Sequence, residues 1–172
     1  MHSLLEAIRT IPDFPEPGIQ FKDITPILSD PKLLRRTLDL LAEPYREARI
    51  DKVIGIESRG FIFGAMLAEV LDAGFIPIRK KGKLPAKTVS ISYDLEYGSD
   101  TIEMHADAIL SGDRVLIHDD VIATGGTAAA AAGLVSLGHG DVVGYSFLAE
   151  LEALNGRGRL PEGIPVESIL KF

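Results

Sequence analysis

Short apolar runs alternate with helical patterns along most of this chain, and no other feature limits its fold as strongly. The apolar runs lie at residues 53–56, 75–78, 115–119 and 142–148, with helical patterns at 60–73 and 124–137 between them. Continuous apolar strands are typical of parallel sheets, because crossover helices cover both faces of such a sheet. The pattern predicts an α/β fold with a mainly parallel central sheet flanked by helices and a last edge strand at 164–170.

A different pattern interrupts this alternation between residues 80 and 105. Residues 89–93 and 101–105 alternate polar and apolar side chains, and the turn sequence Tyr97-Gly98-Ser99-Asp100 separates them. Strict alternation predicts half-buried strands, which are joined here as an antiparallel ribbon. We expect this ribbon, over about residues 80–105, to be a flexible lid.

Prolines are frequent in the first 50 residues and limit the regular structure predicted there. A short helix is predicted at 3–10, and the segment 11–26, with four prolines and a glycine, is predicted to be irregular. Asp30 is predicted to cap a helix that begins at Pro31, and Pro44 should end or kink that helix. Residues 1–30 would then form a small hood on a single domain that spans residues 1–172.

Charge and composition exclude several classes of function. The formal net charge is −7, which argues against a nucleic-acid partner because the phosphate backbone requires a basic surface. The apolar runs are shorter than the roughly 18 to 20 residues that cross a bilayer, and the N-terminus has no signal-peptide pattern. The chain has no cysteine, which agrees with a reducing compartment. We expect a cytoplasmic protein without membrane or nucleic-acid partners.

A glycine-rich turn follows the apolar run at 115–119 and opens an alanine-rich helix. The turn consists of Ala123, Thr124, Gly125, Gly126 and Thr127. The first turn of a helix leaves backbone N–H groups unpaired, and its dipole favours an anion such as phosphate. The glycines allow the backbone to approach the anion, and the threonine hydroxyls can donate hydrogen bonds to it. No Walker lysine follows, which excludes a P-loop nucleotidase.

Two adjacent carboxylates, Asp119 and Asp120, precede this turn. An ionised carboxylate accepts hydrogen bonds and donates none, which suits the two hydroxyls of a ribose diol. A ribose 5-phosphate is the simplest ligand that satisfies both the acidic pair and the turn. The alternative is a buried strand followed by an ordinary turn with a solvated acidic pair. Either half alone favours that alternative, and the two together favour the sugar phosphate.

An acidic protein that binds a polyanion must supply positive charge locally. The turn Glu57-Ser58-Arg59-Gly60 lies between a predicted strand and a predicted helix, and a basic run at 79–87 opens the lid. Ligands gather at the carboxyl ends of parallel strands, so two such turns suit a ligand with two phosphate groups. Taken singly, the first segment is equally an ordinary turn, and the second is more typical of a solvated basic surface.

These segments resemble the type I phosphoribosyltransferases, in which an apolar strand, two acidic residues and a Thr-Gly-Gly-Thr loop occur in the order found at 115–127. Other motifs resemble the members that act on adenine, in order and spacing over nearly the whole chain. They are Gly18 with Phe21-Lys22-Asp23-Ile24, Glu57 to Phe61, Arg79 to Pro85, and Glu96-Tyr97-Gly98. Lys22 departs from that pattern, in which arginine is frequent. His118 stands where an aliphatic residue is common, and we predict that it packs without a further role.

The resemblance implies how the sugar phosphate is bound. The acidic pair would hold the ribose hydroxyls, and the glycine-rich turn would hold the 5-phosphate. The backbone of Glu57 and Ser58, joined by a cis peptide, would hold the pyrophosphate together with Arg59. Lys80 and Lys83 from the lid would close over the pyrophosphate.

The resemblance also implies how the base is bound and activated. Tyr97 would close the lid, and Glu96 would accept the ring proton of adenine. Adenine would contact the backbone near Gln20 and Lys22 and would lie between Phe21 and Leu151.

The implied reaction transfers the phosphoribosyl group of 5-phosphoribosyl 1-pyrophosphate to adenine, giving AMP and pyrophosphate in purine salvage. Mg²⁺ would be held mainly by the pyrophosphate, with no direct protein ligand, and the family implies a homodimer. Two rivals stay open. One is a sister enzyme that uses hypoxanthine, xanthine or orotate, and the other is a noncatalytic regulator that binds the same sugar phosphate.

Overall fold

The N-terminal segment contains more regular structure than its prolines predict. The computed structural model describes residues 4–94 and 99–172, and the chain clusters into two units, 1–40 and 41–172. The first elements along the chain are α1 (Leu4–Ala7), β1 (Arg9–Pro12), β2 (Gln20–Asp23), α2 (Thr25–Ser29) and α3 (Pro31–Ala42).

The predictions of a helix at 3–10 and of an irregular segment at 11–26 are wrong in part. Strands β1 and β2 pair antiparallel, from Arg9 opposite Asp23 to Pro12 opposite Gln20. The Arg9 guanidinium donates from Nη2 to Asp23 Oδ2 at 2.6 Å, which holds one end of this pairing in register. Pro12 is accommodated because it is the last residue of its strand, where a missing N–H interrupts no further pairing.

Both predicted boundaries of the first long helix are confirmed. Asp30 caps α3, because its Oδ1 accepts the backbone N–H groups of Lys32 at 2.7 Å and Leu33 at 3.2 Å. The α-helix ends at Ala42, and Pro44 lies in the 3₁₀ turn Glu43–Tyr45 that follows.

The second unit contains a seven-stranded sheet. Its strands are β3 (Lys52–Ile56), β4 (Gly74–Lys80), β5 (Thr88–Asp94), β6 (Ser99–His105), β7 (Arg114–Ile122), β8 (Asp141–Glu150) and β9 (Val166–Lys171). They lie in the order β5-β6-β4-β3-β7-β8-β9, and neighbouring strands are parallel within the run β4-β3-β7-β8-β9. Helices α4 (Gly60–Val70) and α5 (Gly126–Leu137) follow β3 and β7. The mainly parallel sheet and the edge position of the last strand are confirmed.

The predicted antiparallel ribbon is also confirmed, and it extends the sheet. Strands β5 and β6 pair from Thr88 opposite His105 to Asp94 opposite Ser99. Strand β6 in turn pairs antiparallel with β4, where Lys80 lies opposite Ile102. The base of the ribbon is therefore hydrogen-bonded to the strand that carries the basic run.

The strand before the glycine-rich turn is longer than predicted. We predicted its end at residue 119 and a helix from 124, whereas β7 continues to Ile122 and α5 begins at Gly126. The reason is that β8 keeps pairing with β7, with Ile122 opposite Glu150.

Among residues 4–94 and 99–172, no helix combines the length and apolar character needed to span a bilayer.

Candidate active site

The two aspartates lie near the carboxyl end of β7 and are buried to different degrees. Asp119 is half-buried, and its Oδ1 accepts the backbone N–H of Asp120 at 2.9 Å. The side chain of Asp120 is only 6% exposed. Burial raises the pKa of Asp119 well above its usual value, and the neighbouring Asp120 charge raises it further. Burial also raises the pKa of Asp120, although Arg59 opposes that rise.

The start of α4 touches the acidic pair. A Cβ on Gly60 would lie 2.8 Å from Asp119 Oδ1 and 3.1 Å from the His118 carbonyl oxygen. Real Cβ atoms do not approach that closely, so the absence of a side chain at Gly60 allows α4 to lie against the end of β7. The turn at 57–60 therefore lies directly beside the acidic pair.

The glycine-rich turn encloses a small cavity. Its volume is about 80 Å³, and it is lined by residues 121–128 together with Asp119 and Phe147. Gly125 has φ of 78°, in the left-handed region that favours glycine, and Gly126 is the first residue of α5. The cavity is thus formed at the N-terminus of a helix, as the sequence predicts. Thr127 donates its hydroxyl to Tyr93 of the ribbon at 3.2 Å.

A second, larger cavity adjoins the first. Its volume is about 290 Å³, and both cavities are lined by Asp119 and Thr127. The remaining lining residues come from the end of β3 and the residue after it, the end of β4, and the ribbon: Ile56, Glu57, Lys80, Tyr93, Asp100 and Ile102. The described part of the site is therefore bounded by strand ends on one side and by the ribbon on the other.

Glu57 is bound to the base of the ribbon. Its Oε1 accepts Lys83 Nζ at 2.8 Å and Arg79 Nη2 at 3.1 Å, and its Oε2 accepts the Lys80 backbone N–H at 3.0 Å. Burial alone would raise the pKa of Glu57, but these three donors outweigh it and lower the pKa to about 2. The peptide between Glu57 and Ser58 is cis, which confirms that prediction.

Each of the three cations predicted for the pyrophosphate is paired with a carboxylate. Arg59 Nε lies 2.9 Å from Asp120 Oδ2, Lys80 Nζ lies 3.0 Å from Asp100 Oδ2, and Lys83 Nζ contacts Glu57 as described. The sequence identified the cations but gave no signal for their partners. In the sequence, Asp100 is part of a predicted turn and Tyr93 is one residue of a predicted strand. Their place in the site follows from the pairing of β5, β6 and β4.

Comparison with known proteins agrees with this arrangement. The family model described as a phosphoribosyl transferase domain matches residues 23–137. An adenine phosphoribosyltransferase of Gloeobacter violaceus is 54% identical over 169 residues, which are 98% of this chain and 99% of that protein. The chain belongs to the adenine phosphoribosyltransferase family. Its fold is the type I phosphoribosyltransferase fold that the sequence motifs implied.

Two solved structures of the family superpose closely on this chain. The enzyme of Rhodothermus marinus is 65% identical, with a TM-score of 0.95 over 98% of this chain and 96% of that one. The enzyme of Saccharomyces cerevisiae is 44% identical, with a TM-score of 0.90 over 96% and 95%. That structure is a complex with adenine and D-2,5-dideoxy-2,5-imino-altritol 1,6-bisphosphate.

The residues that the family resemblance assigns to adenine lie in two separate units. Gln20, Phe21 and Lys22 lie on β2, where Lys22 Nζ donates to Thr10 Oγ1 at 3.1 Å. Leu151 follows β8 in the second unit. Glu96 and Tyr97 lie outside the described residues.

His118 packs as predicted. Its ring is fully buried and meets Phe63 of α4 edge-on, with ring centroids 6.5 Å apart. Burial lowers the pKa of His118 to about 3, so the ring is neutral at physiological pH.

Proposed function

We propose that this protein transfers the 5-phosphoribosyl group of 5-phosphoribosyl 1-pyrophosphate to adenine, giving AMP and pyrophosphate in purine salvage. The observation that carries the proposal is the acidic pair near the end of β7, beside a phosphate-sized cavity at the N-terminus of α5. Membership of the family and the adenine complex of the yeast relative support it.

The two ends of the sugar phosphate would bind to adjacent parts of one βα turn. Asp119 and Asp120 would accept hydrogen bonds from the ribose hydroxyls. Ala123, Thr124, Gly125, Gly126 and Thr127 would donate backbone and hydroxyl hydrogen bonds to the 5-phosphate, whose charge the dipole of α5 favours. Both ends of the ribose phosphate would thereby be fixed before reaction.

Charge on the leaving group is the main barrier to this transfer. The bond from the anomeric carbon to the pyrophosphate oxygen breaks, and a bond from that carbon to a ring nitrogen of adenine forms. Positive charge develops on the ribose and negative charge on the pyrophosphate, as in glycoside cleavage. We propose that Arg59, Lys80 and Lys83 leave their carboxylate partners and stabilise the pyrophosphate, which also contacts the backbone of Glu57 and Ser58.

The site fits Mg²⁺ held mainly through the substrate. Mg²⁺ commonly binds through one or two carboxylates and substrate phosphates, and Asp119 and Asp120 are the carboxylates nearest the sugar site. Among residues 4–94 and 99–172, no group of three or more acidic, histidine or cysteine side chains forms a metal site of its own. When bound, Mg²⁺ would neutralise charge on the departing pyrophosphate.

We propose that the hood and the lid complete a single domain. Residues 1–30, the hood, would supply Gln20, Phe21 and Lys22 to adenine, with Leu151 on the opposite face of the base. The lid, at about 80–105, would exclude water, which would otherwise capture the electrophilic ribose. Glu96 would take the ring proton, a step that contributes about two to four powers of ten in rate, and Tyr97 would help to close the lid.

We also propose a cytoplasmic homodimer. Helix α4 is apolar on most of its surface, yet Ile62 is 38% exposed and Met66 is only half-buried. A helix that is apolar all round is normally covered, and a second copy would cover this one. Light scattering of the purified protein measures the mass and decides between monomer and dimer.

One assay tests the function against both rivals. Purified protein is mixed with Mg²⁺, 5-phosphoribosyl 1-pyrophosphate and one base at a time, and nucleotide and pyrophosphate are measured. We expect AMP from adenine and little product from hypoxanthine, xanthine or orotate. Product from one of those bases alone would identify a sister enzyme. Binding of the sugar phosphate without product from any base would identify a regulator.

A further inference from the structure

A second loop, distant from the two ligand turns in sequence, lies directly against the glycine-rich turn. The contact is made by Gly156, which begins the 3₁₀ turn Gly156–Arg159 and is buried. A Cβ on Gly125 would overlap the Gly156 carbonyl oxygen, and a Cβ on Gly156 would overlap the Ala123 carbonyl oxygen. The two backbones are therefore in contact with no side chain between them. A displacement of Gly156 toward the turn that encloses the small cavity would displace that turn.

Arg157, the next residue, fixes this loop to the sheet. Its Nε and Nη2 donate to the two carboxylate oxygens of Glu150, each at 2.7 Å. Its Nη1 donates to the Val166 carbonyl at 2.6 Å, and its Nη2 also donates to Ser168 Oγ at 2.9 Å. Ser168 Oγ in turn donates to Glu150 at 2.6 Å. One guanidinium thus joins the loop to β8 and β9.

Burial makes this network strong. The Glu150 side chain is only 8% exposed, and a bidentate arginine is the donor that best matches a buried carboxylate. Hydrogen bonds from Arg157 lower the pKa of Glu150, so its carboxylate stays ionised at neutral pH. Glu150 also lies opposite Ile122, the last residue of β7 before the glycine-rich turn. The network therefore supports the turn both from β8 and through Gly156.

We propose that Arg157, through Glu150, Ser168 and Gly156, is a positioning residue for the 5-phosphate. The inference rests on the proposed function, in which the turn at 123–127 binds that phosphate. A cavity of about 80 Å³ leaves little room for a displaced backbone. A misplacement of about 1 Å can reduce a rate a hundredfold even when the displaced group is not itself reactive. Arg157 would thus control binding at a site that it does not touch.

The first test uses two glycines in the same 3₁₀ turn. Gly156→Ala introduces a Cβ into the Ala123 carbonyl, whereas the Cβ of Gly158→Ala would meet only the Asn155 side chain, at 3.1 Å. Calorimetry measures binding of ribose 5-phosphate, which probes the 5-phosphate turn, and of pyrophosphate with Mg²⁺, which probes the other turn. We expect Gly156→Ala to raise the Kd for ribose 5-phosphate at least about tenfold. The Kd for pyrophosphate should stay within about twofold, and Gly158→Ala should change neither value by more than that.

The second test uses two arginines of that turn. Arg157→Met removes the network, and Arg159→Met removes the same charge from an exposed side chain outside it. Arg157→Met should raise the Kd for ribose 5-phosphate and the KM for 5-phosphoribosyl 1-pyrophosphate by about tenfold. The KM for adenine and the Kd for pyrophosphate should not change. Arg157→Lys, which keeps the charge but loses the bidentate contact, should fall between Arg157→Met and the wild type.

The outcomes separate this inference from the function on which it rests. Selective loss of ribose 5-phosphate binding in Gly156→Ala and Arg157→Met supports it. Equal loss of both ligands, or unchanged binding of both, overturns it while the wild-type activity stands. Failure of the wild type to bind ribose 5-phosphate would overturn the proposed role of the turn and this inference together. If Arg157→Met does not fold, Arg157→Lys and Gly156→Ala decide by the same comparison.

Discussion

Asp119 illustrates how a binding residue can oppose the stability of its own fold. Burial and the Asp120 charge raise its pKa, so the folded protein disfavours the ionised form relative to the unfolded chain. Above the ordinary pKa of 3.8, ionisation of Asp119 therefore reduces the free energy of unfolding. In the proposed function, the same ionised carboxylate would accept hydrogen bonds from the ribose hydroxyls.

Asp119→Asn should therefore stabilise the protein and impair it. Near neutral pH we expect the melting temperature to rise by about 3 °C, because each kcal/mol corresponds to roughly 2 to 4 °C at this size. The value of kcat/KM for 5-phosphoribosyl 1-pyrophosphate should fall. The gain in melting temperature should vanish as the pH falls below 3.8, where the unfolded carboxyl is also protonated. Thermal unfolding at several pH values measures this, with Asp141→Asn as the exposed control.

Glu57 has the opposite pH dependence. Its folded pKa of about 2 lies below the ordinary 4.5, so its charge stabilises the fold above pH 4.5, and that stabilisation is lost as the pH falls toward 2. Glu57→Gln should lower the free energy of unfolding by about 3 kcal/mol at pH 7, with a smaller difference at lower pH. Urea unfolding at pH 7, 4.5 and 3 measures the difference, with Glu152→Gln as an exposed control. A difference that is independent of pH would contradict the prediction.

At the scale of elements, the ribbon pairs one cation of the site with a carboxylate of its own. Lys80 ends β4 and pairs with Asp100 on β6, and its side chain is 58% exposed. An exposed pair contributes about 0 to 1 kcal/mol, so exchange of Asp100 for pyrophosphate is a modest barrier. We therefore expect the pair to tune the affinity for pyrophosphate without preventing its binding.

Asp100→Asn should make Lys80 available and tighten pyrophosphate binding by about two- to fivefold at low salt. The effect should shrink at high salt, because ions screen exposed charges. Calorimetry at two salt concentrations tests this. Glu152→Gln removes the carboxylate of a similar exposed pair, in which Lys171 Nζ lies 3.0 Å from Glu152 Oε1, and should have no effect. Weaker binding by Asp100→Asn would mean instead that Asp100 orients Lys80 toward the ligand.

Local patterns predicted the elements well where a periodicity or a cap specifies them. The parallel strands, the ribbon, the Asp30 cap and the helix end before Pro44 all follow from neighbouring residues in sequence. The pairing of β1 with β2 was missed, because the prolines masked two short strands held together by an ion pair. The end of β7 was also misplaced, because Ile122 is held in the strand by β8, whose position is a tertiary property.

The sequence predicted which types of residue form the site, but it did not predict which cation pairs with which carboxylate. The acidic pair and the glycine-rich turn can be recognised in the sequence, because they follow one another directly along the chain in one short segment. The pairs of Arg59 with Asp120 and of Glu150 with Arg157 cannot be recognised in this way, because partner choice depends on which strand ends meet. The support of the glycine-rich turn by Gly156 was invisible for the same reason.

At the scale of the whole molecule, a chain of net charge −7 must bind a strongly anionic substrate. The described cations of the site are paired with carboxylates before binding. In the proposed function, ligand binding would exchange internal ion pairs for contacts with pyrophosphate and would add little net positive charge. In the proposed function, an external divalent cation would therefore be important for affinity.

Removal of Mg²⁺ should reduce the stabilisation produced by one ligand and leave that produced by another unchanged. At about 100 times its Kd, 5-phosphoribosyl 1-pyrophosphate with Mg²⁺ should raise the melting temperature by about 5 to 10 °C, and a chelator should remove most of that rise. The smaller rise produced by ribose 5-phosphate, which lacks pyrophosphate, should persist with the chelator. Thermal-shift measurements with both ligands test this. Equal chelator sensitivity for both would place the metal at the 5-phosphate instead.

The close approach of Gly60 to Asp119 limits how these two positions can be redesigned. Any attempt to alter sugar preference by enlarging or repositioning residue 119 must leave residue 60 bare, because a Cβ there would lie 2.8 Å from the present carboxylate. Shortening residue 119 does not by itself make room for an alanine at 60, because that Cβ would also lie 3.1 Å from the Asp119 Cα and from the His118 carbonyl oxygen. Libraries for sugar preference should therefore vary residue 119 and keep glycine at 60.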